Sequence, residues 1–236
     1  MDGNHITPEK FNERRMPISN FDGETFVAFT DISGFKEMLK NQDRAIRAID
    51  KFYSKGYEIL LNHREIDGIF VSDCGVLFSR NTTNKARAFA DLLEVIQELN
   101  SQMLQTNVML KTAIAYGPFS YHQKIEFIGI EKIPFFGNAY LMAFLATEKE
   151  KPGIEPGECH IVSKNLPDGL INELQDIKRW RICKGGTEYY NFYWMVAANN
   201  DIDLFSQDYQ DTYNRKYEGI LSVLKKYDNK RLNRRN

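Results

Sequence analysis

Apolar and polar positions divide the chain into alternating strand-like and helix-like stretches. Residues 1–22 are mostly polar and read as an N-terminal arm. Thr25 to Thr30, TFVAFT, is rich in Phe and Val and predicts a buried strand. From Phe35 to about Asn62 the apolar residues recur at helical spacing, among them Ala45, Ile46, Ile49, Phe52, Tyr53, Tyr57, Leu60 and Leu61. A break falls near Asn41, where Asp43 is placed to cap the second segment. Ile66 to Val71 and Val76 to Ser79 predict two short strands, joined as a hairpin by the turn-type residues Ser72-Asp73-Cys74-Gly75. Lys85 to Gln105 is helical, with Ala86, Phe89, Ala90, Leu93, Ile96 and Leu99 on one face. Val108 to Tyr116 is strand-like and stops at Gly117-Pro118, Ile125 to Phe136 carries more β-type sequence, and Gly137 precedes an apolar helix over 138–149.

A loop follows at 150–158, and then three strand candidates in CHIVS, KRWRIC and YYNFYWMV. After Val196 the composition shifts to a linker and an amphipathic, increasingly basic segment over 209–236. The predicted domain plan is an arm (1–22), a catalytic domain (23–198) and a C-terminal helical extension (199–236). The element order is strand, helix, strand-hairpin-strand, helix, strand. This is a βαββαβ, ferredoxin-like core in an α+β fold, with strands and a helix added behind it. A fold of this kind hosts many functions and names none by itself.

Composition narrows the field modestly. The chain has 236 residues, enough for one substantial domain, with 42% hydrophobic and 27% charged residues. A net charge of -1 selects neither nucleic acid nor a membrane surface as a partner. No apolar stretch approaches the ~20 residues that span a bilayer, so stable membrane insertion is not expected. MDGNHITPEKFNERR has no apolar core of a signal peptide. Cys74, Cys159 and Cys183 are widely spaced, which suggests neither a disulfide framework nor a zinc site and fits a reducing cytoplasm. His5, His63, His122 and His160 show no metal-ligand spacing. The tail LKKYDNKRLNRRN carries six basic residues against one acid; it reads as solvated, and nucleic acid is not an expected partner.

The chemistry concentrates on two acids. Asp31 ends the first strand and Asp73 sits in the hairpin, which is the first strand's neighbour in a βαββαβ sheet. Alone, the first would be an ordinary helix cap and the second an ordinary turn former. Together at one sheet edge they could hold two divalent cations, Mg²⁺ or Mn²⁺, whose shells substrate phosphates would complete. Ser33, Gly34 and Phe35 open the next helix, and free amides there would face a phosphate. Metal ligands beside a helix start suggest phosphoryl or nucleotidyl transfer.

Five motifs in order resemble the class III adenylate and guanylate cyclases. FTDISGF (29–35) is similar to their first metal-binding motif and SDCGVLF (72–78) to their second. LKTAIAYGPF (110–119) resembles the strand that ends in Gly-Pro, FFGNAYLMAFLATE (135–148) an aromatic-Gly-Asn turn with its helix, and ICKGGTEYYNFYWM (182–195) the late lysine-bearing hairpin. The resemblance covers about residues 25 to 197. It implies a head-to-tail homodimer with composite sites, and two metal ions held by Asp31 and Asp73 with the Ile32 carbonyl as a further ligand. It also implies a ribose 3′-hydroxyl attacking the α-phosphate, and Lys184 as the triphosphate-contacting lysine.

The departures from the family pattern matter as much. The usual purine-selecting lysine and acid correspond here to Ile69 and Pro134. The usual transition-state Asn and Arg correspond to Leu141 and Leu145. Arg44, Arg47, Lys111 and Arg181 are, by position, the candidates for a replacement cation. The stand-alone pyrimidine cyclases of the bacterial Pycsar anti-phage system have this look, which implies UTP or CTP as substrate and cyclic UMP or cyclic CMP as product. A pocket of Ile69, Phe135 and Phe136 would narrow around a pyrimidine, with Tyr53 and Asn138 as hydrogen-bonding contacts. Two alternatives stay open: a purine cyclase with an atypical pocket, and an inactive cyclase-fold module that binds nucleotide.

Overall fold

The computed structural model describes residues 18–122, 124–127, 130–132, 134–149, 153–176 and 181–195. Most of the predicted arm and all of the C-terminal extension lie outside these residues. In chain order the elements are β1 (Phe21–Ile32), α1 (Phe35–Met38), α2 (Gln42–Asn62), β2 (Ile66–Val71), β3 (Cys74–Ser79), α3 (Lys85–Gln105) and β4 (Leu110–Tyr121). Then follow β5 (Lys124–Phe127), β6 (Ile130–Lys132), β7 (Phe135–Phe136), α4 (Asn138–Glu148), β8 (Cys159–Val162), α5 (Leu170–Asp176), β9 (Ile182–Lys184) and β10 (Tyr189–Phe192).

The main sheet runs β2-β3-β1-β4-β8-β10-β9, with β7 also on β4, while β5 and β6 pair separately. Its first four strands have the ferredoxin-like order that the sequence predicts. β1 lies antiparallel to both β3 and β4, and β8 extends the sheet parallel to β4. Because side chains alternate along a strand, the central strands serve two cores. Phe26, Ala28, Ile32, Leu77 and Ile114 face α2 and α3, where Phe26 stacks on Phe89 with ring centroids 4.6 Å apart. Val27, Phe29, Val76, Phe78, Ala113 and Ala115 face the other way, toward α4. A strand buried on both faces reads as a continuous apolar run, which is why TFVAFT carries so little alternation.

α4 is apolar on every side rather than along one stripe. Ala139 and Ala143 are buried against the sheet, whereas Leu141 and Leu145 are each 49% exposed. Gly137 opens this helix at φ 137°, and a Cβ there would lie 2.3 Å from the Pro118 carbonyl oxygen. Only glycine permits that approach of α4 to β4.

Several boundaries differ from the sequence reading. β1 begins at Phe21, so Phe21 and Asp22 leave the predicted arm and pair with Tyr121 and Ser120. The break expected near Asn41 does divide 35–62 into α1 and α2, but the α2 cap is Asn41, whose side chain accepts the Arg44 amide, not Asp43. The hairpin turn is Ser72-Asp73 alone; Cys74 and Gly75 already belong to β3 and pair with Val71 and Phe70. β4 continues through Gly117-Pro118 to Tyr121. Thr112 donates its amide to Glu158, away from β1, so two-residue periodicity turns the position of the missing Pro118 N–H away from β1 as well. β8 covers only residues 112–114 of β4 and β7 only 120–121, so proline deprives no neighbouring strand there. α5 is an element the hydrophobic pattern did not announce.

Candidate active site

The two acids meet at one end of the sheet. Burial on both faces fixes β1, which sets Asp31 opposite Cys74 on β3 and opposite Lys111 on β4. All three are on the α4 side of the sheet, as the alternation with buried Thr30 and Thr112 requires; those two hydroxyls meet across the opposite face at 3.1 Å. The hairpin tip folds onto the same end. Ser72 takes the left-handed conformation at φ 54°, and the Ile32 amide donates to the Asp73 carbonyl oxygen at 2.9 Å. The Ser33 amide donates to the Met109 carbonyl oxygen at 2.8 Å. Three chain segments are thus stitched together around Asp31.

The groups at this sheet end also act on one another electrostatically. The Asp31 carboxyl is pushed up to about 7, first by burial and then by the negative charge of Asp73. Lys111 pulls in the opposite direction, and Glu148 at the end of α4 adds to the rise. Burial, followed by Asp73 and Asp31, drives the Cys74 thiol up to about 11, so it is not a poised nucleophile. Two hard carboxylates that repel each other in a half-buried site suit a divalent cation, which would remove the repulsion. Among the described residues no group of three or more His, Cys, Asp or Glu could hold a metal ion, so further ligands would be carbonyl, water or substrate oxygens.

The phosphate cradle is smaller than the sequence suggests. Ser33 is excluded as an amide donor because its N–H already serves Met109. Gly34 adopts the left-handed conformation at φ 72° and caps the single turn of α1. The Gly34 and Phe35 amides donate to no described residue, while the Phe35 ring is buried in the core under α2 and α3.

The base contacts expected from the sequence do not assemble. Ile69 is buried on β2 in the core beneath α4, and Phe135 shares that core by packing edge-on against Tyr140 with centroids 5.0 Å apart. Phe136 instead points outward and stacks with His122. Tyr53 packs its ring against Phe70, the residue next to Ile69, and so lies on the opposite face of β2. Tyr53 and Ile69 cannot therefore line one pocket within a single chain. Asn138 is exposed at the first turn of α4.

Lys184 is exposed at the end of β9, the far edge of the sheet. Four strand spacings separate β9 from β1, roughly 19 Å at about 4.8 Å each. Asp31 and Lys184 of one chain do not share a site. Of the four replacement-cation candidates, Arg44 and Arg47 are exposed on α2, and Arg181 precedes β9. Lys111 alone adjoins Asp31. Glu148 and Tyr140 border the site from α4 without having been singled out in the sequence. The sequence named Lys111 among four candidates; singling it out needed the β1–β4 register. A buried pair, Glu158 and His160 at 3.4 Å, lies beside this region on the loop before β8 and on β8 itself.

No family model matches the chain, and no curated protein matches its sequence. Solved structures do match. The adenylyl cyclase CyaB from P. aeruginosa aligns over 78% of this chain and 99% of its own at a TM-score of 0.53 and 16% identity. The guanylate cyclase domain of RhGC from Catenaria anguillulae, in complex with GTP, aligns over 74% and 97% at a TM-score of 0.55 and 11% identity. A rhodopsin-guanylyl cyclase catalytic core with converted specificity, in complex with ATPalphaS, aligns over 74% and 96% at 0.55 and 11%. From β1 to β10 this chain has the fold of adenylyl and guanylyl cyclase domains.

Proposed function

We propose that the chain is a nucleotidyl cyclase acting on a pyrimidine nucleoside triphosphate, UTP before CTP. In the reaction the ribose 3′-oxygen bonds to the α-phosphorus, the bond from that phosphorus to the bridging β-phosphate oxygen breaks, and pyrophosphate leaves as the 3′-hydroxyl gives up its proton. The observation that carries this reading is the convergence of Asp31 and Asp73 on one sheet end within the cyclase fold. Asp31 and Asp73, with the Ile32 carbonyl, would hold two divalent ions, Mn²⁺ or Mg²⁺. Such ions supply charge neutralisation at the attacking hydroxyl and at the leaving pyrophosphate. The Gly34 and Phe35 amides are placed to donate to phosphate oxygens.

Lys184 then acts from a partner subunit, because its own chain holds it about four strands from Asp31. A head-to-tail homodimer meets that requirement, and the exposed Leu141 and Leu145 of α4 offer an apolar surface for it. Pyrimidine preference rests on Ile69 and Pro134 standing where a purine-reading pair is usual. A second-messenger role in anti-phage defence, within the cytoplasm, belongs to the same reading and rests on the resemblance to stand-alone pyrimidine cyclases. The purine alternative draws support from similar structures that are adenylyl and guanylyl cyclases.

Incubation of the purified protein with Mn²⁺ and ATP, GTP, CTP or UTP in turn should yield cyclic UMP most readily. Asp31→Ala and Asp73→Ala should each lower turnover by at least ~10³-fold with the fold retained. Cyclic AMP or cyclic GMP as the main product would select the purine alternative. No cyclic product from any of the four would leave the inactive module.

A further inference from the structure

A row of side chains runs from Asp31 across the neighbouring strands, with Cys74 opposite Asp31 and Val71 opposite Cys74. The next row along is Phe29, Val76 and Ile69. Both rows face the α4 side, since alternate residues of a strand share a face. α4 itself lies over β1, β4 and β8, which leaves β3 and β2 as a shelf along its flank. Tyr140 walls the shelf on the helix side, its ring 6.2 Å from Phe29 and edge-on to Phe135 at 5.0 Å. The outer end is open, with Val71 54% exposed. Beyond Asp31 this trough is apolar except for two groups. The Cys74 thiol is committed, donating to the Val71 carbonyl oxygen at 3.1 Å. The Tyr140 hydroxyl makes no hydrogen bond with a described residue, and burial, followed by Cys74, raises it above the ordinary phenol range. A half-buried phenol ordinarily finds a partner. An apolar trough with one free polar group, opening beside two acids, has the form of a small-molecule subsite.

We infer that Tyr140 is the base-reading residue, its hydroxyl bonding the polar edge of a pyrimidine that occupies the trough over Val76 and Ile69. The inference takes its substrate class from the proposed function. A hydroxyl both donates and accepts, so it serves the carbonyl and N–H of uracil and the amine and ring nitrogen of cytosine alike. The ring acts separately: filling the flank of the shelf, it narrows the space left for a two-ring purine. Tyr140 thereby supplies the polar contact that Ile69 cannot, and a site built on such a contact discriminates more sharply than an apolar one.

Tyr140→Phe, which removes the hydroxyl and keeps the ring, tests this in the full chain. Calorimetry with Mn²⁺ compares 3′-deoxy-UTP, which cannot cyclise, with inorganic tripolyphosphate, which has no base. The Phe variant should bind 3′-deoxy-UTP ~5–10-fold more weakly and tripolyphosphate within about twofold of wild type, at unchanged melting temperature. The ratio of kcat/KM for UTP over that for ATP should fall by a similar factor. Wild-type affinity of the variant for 3′-deoxy-UTP would overturn the inference, and a lowered melting temperature beside it would mark a packing role. Equal weakening toward both ligands would overturn it as well, because the loss would then lie at the phosphates. So would a wild type that binds 3′-deoxy-UTP no more tightly than tripolyphosphate, since the base would then add nothing. If the wild type cyclises only purines, or none of the four nucleotides, the proposed function fails, and the two binding measurements still decide the role of Tyr140.

Discussion

Asp31 is half-buried beside a second acid, and its carboxyl is raised from 3.8 to about 7. The folded chain therefore binds this proton more tightly than the unfolded chain. Its contribution is fully favourable below about pH 4 and is lost as the pH climbs through 7. In the absence of metal, Asp31→Asn should match wild type at pH 4 and exceed its stability at pH 8 by ~1–2 kcal/mol once solvent screening is allowed for. Urea unfolding at the two pH values measures this, and an Asn variant less stable than wild type at pH 8 would contradict the burial argument. Mn²⁺ should raise the melting temperature of wild type but not of the variant. At this scale the sequence was informative about Asp31 and Asp73, because a lone acid ending an apolar run and a second in a turn are visible as such. It was uninformative about Tyr53. Neighbouring residues on β2 face opposite ways, and helical spacing on α2 does not say which of them Tyr53 will meet.

Among the elements, α2 approaches β2 closely because glycine faces it. A Cβ on Gly56 would lie 2.2 Å from Phe70 Cζ. The Phe70 ring has little room to move, being packed edge-on to Phe52 at 5.0 Å and against Tyr53 at 5.9 Å. Two effects then oppose each other in Gly56→Ala. Helix propensity favours alanine by ~1 kcal/mol, while overpacking costs ~1–3 kcal/mol. The wedge should win, giving a net loss of ~1 kcal/mol by urea denaturation; a gain in stability would show that α2 can lift off the sheet at little cost. The sequence defined α3 to the residue, since its apolar stripe is long and Asn84 caps it. It misjudged the hairpin, because turn-type composition does not distinguish Cys74-Gly75 in a strand from the same residues in a loop. It ended β4 at Gly117-Pro118, since the harmlessness of that proline depends on which strands lie alongside. α5 spans only Leu170–Asp176, too short for its periodicity to stand out.

Across the whole molecule, the cyclase reading has to join residues that one chain keeps apart. Asp31 lies on β1 in the middle of the sheet, and Lys184 lies on β9 at its edge. A two-fold head-to-tail dimer would bring Lys184 of each protomer to the Asp31 of its partner, making two composite sites. This geometry has an arithmetic consequence. Asp31→Asn alone and Lys184→Ala alone each damage both sites of their own homodimer. Mixed and allowed to exchange subunits, equal amounts give heterodimers as half of all dimers. In each heterodimer one site carries both substitutions and the other carries neither. Activity should therefore return to roughly one quarter of wild type, counted per total protein. If Asp31 and Lys184 served the same site from one chain, mixing would restore nothing, because every site would still contain one damaged residue. Recovery on mixing, absent from either variant alone and dependent on time for subunit exchange, thus reports the composite site directly. Failure to recover, with heterodimers demonstrated by differently tagged chains, would remove Lys184 from the partner's site while leaving the pairing of Asp31 with Asp73 untouched.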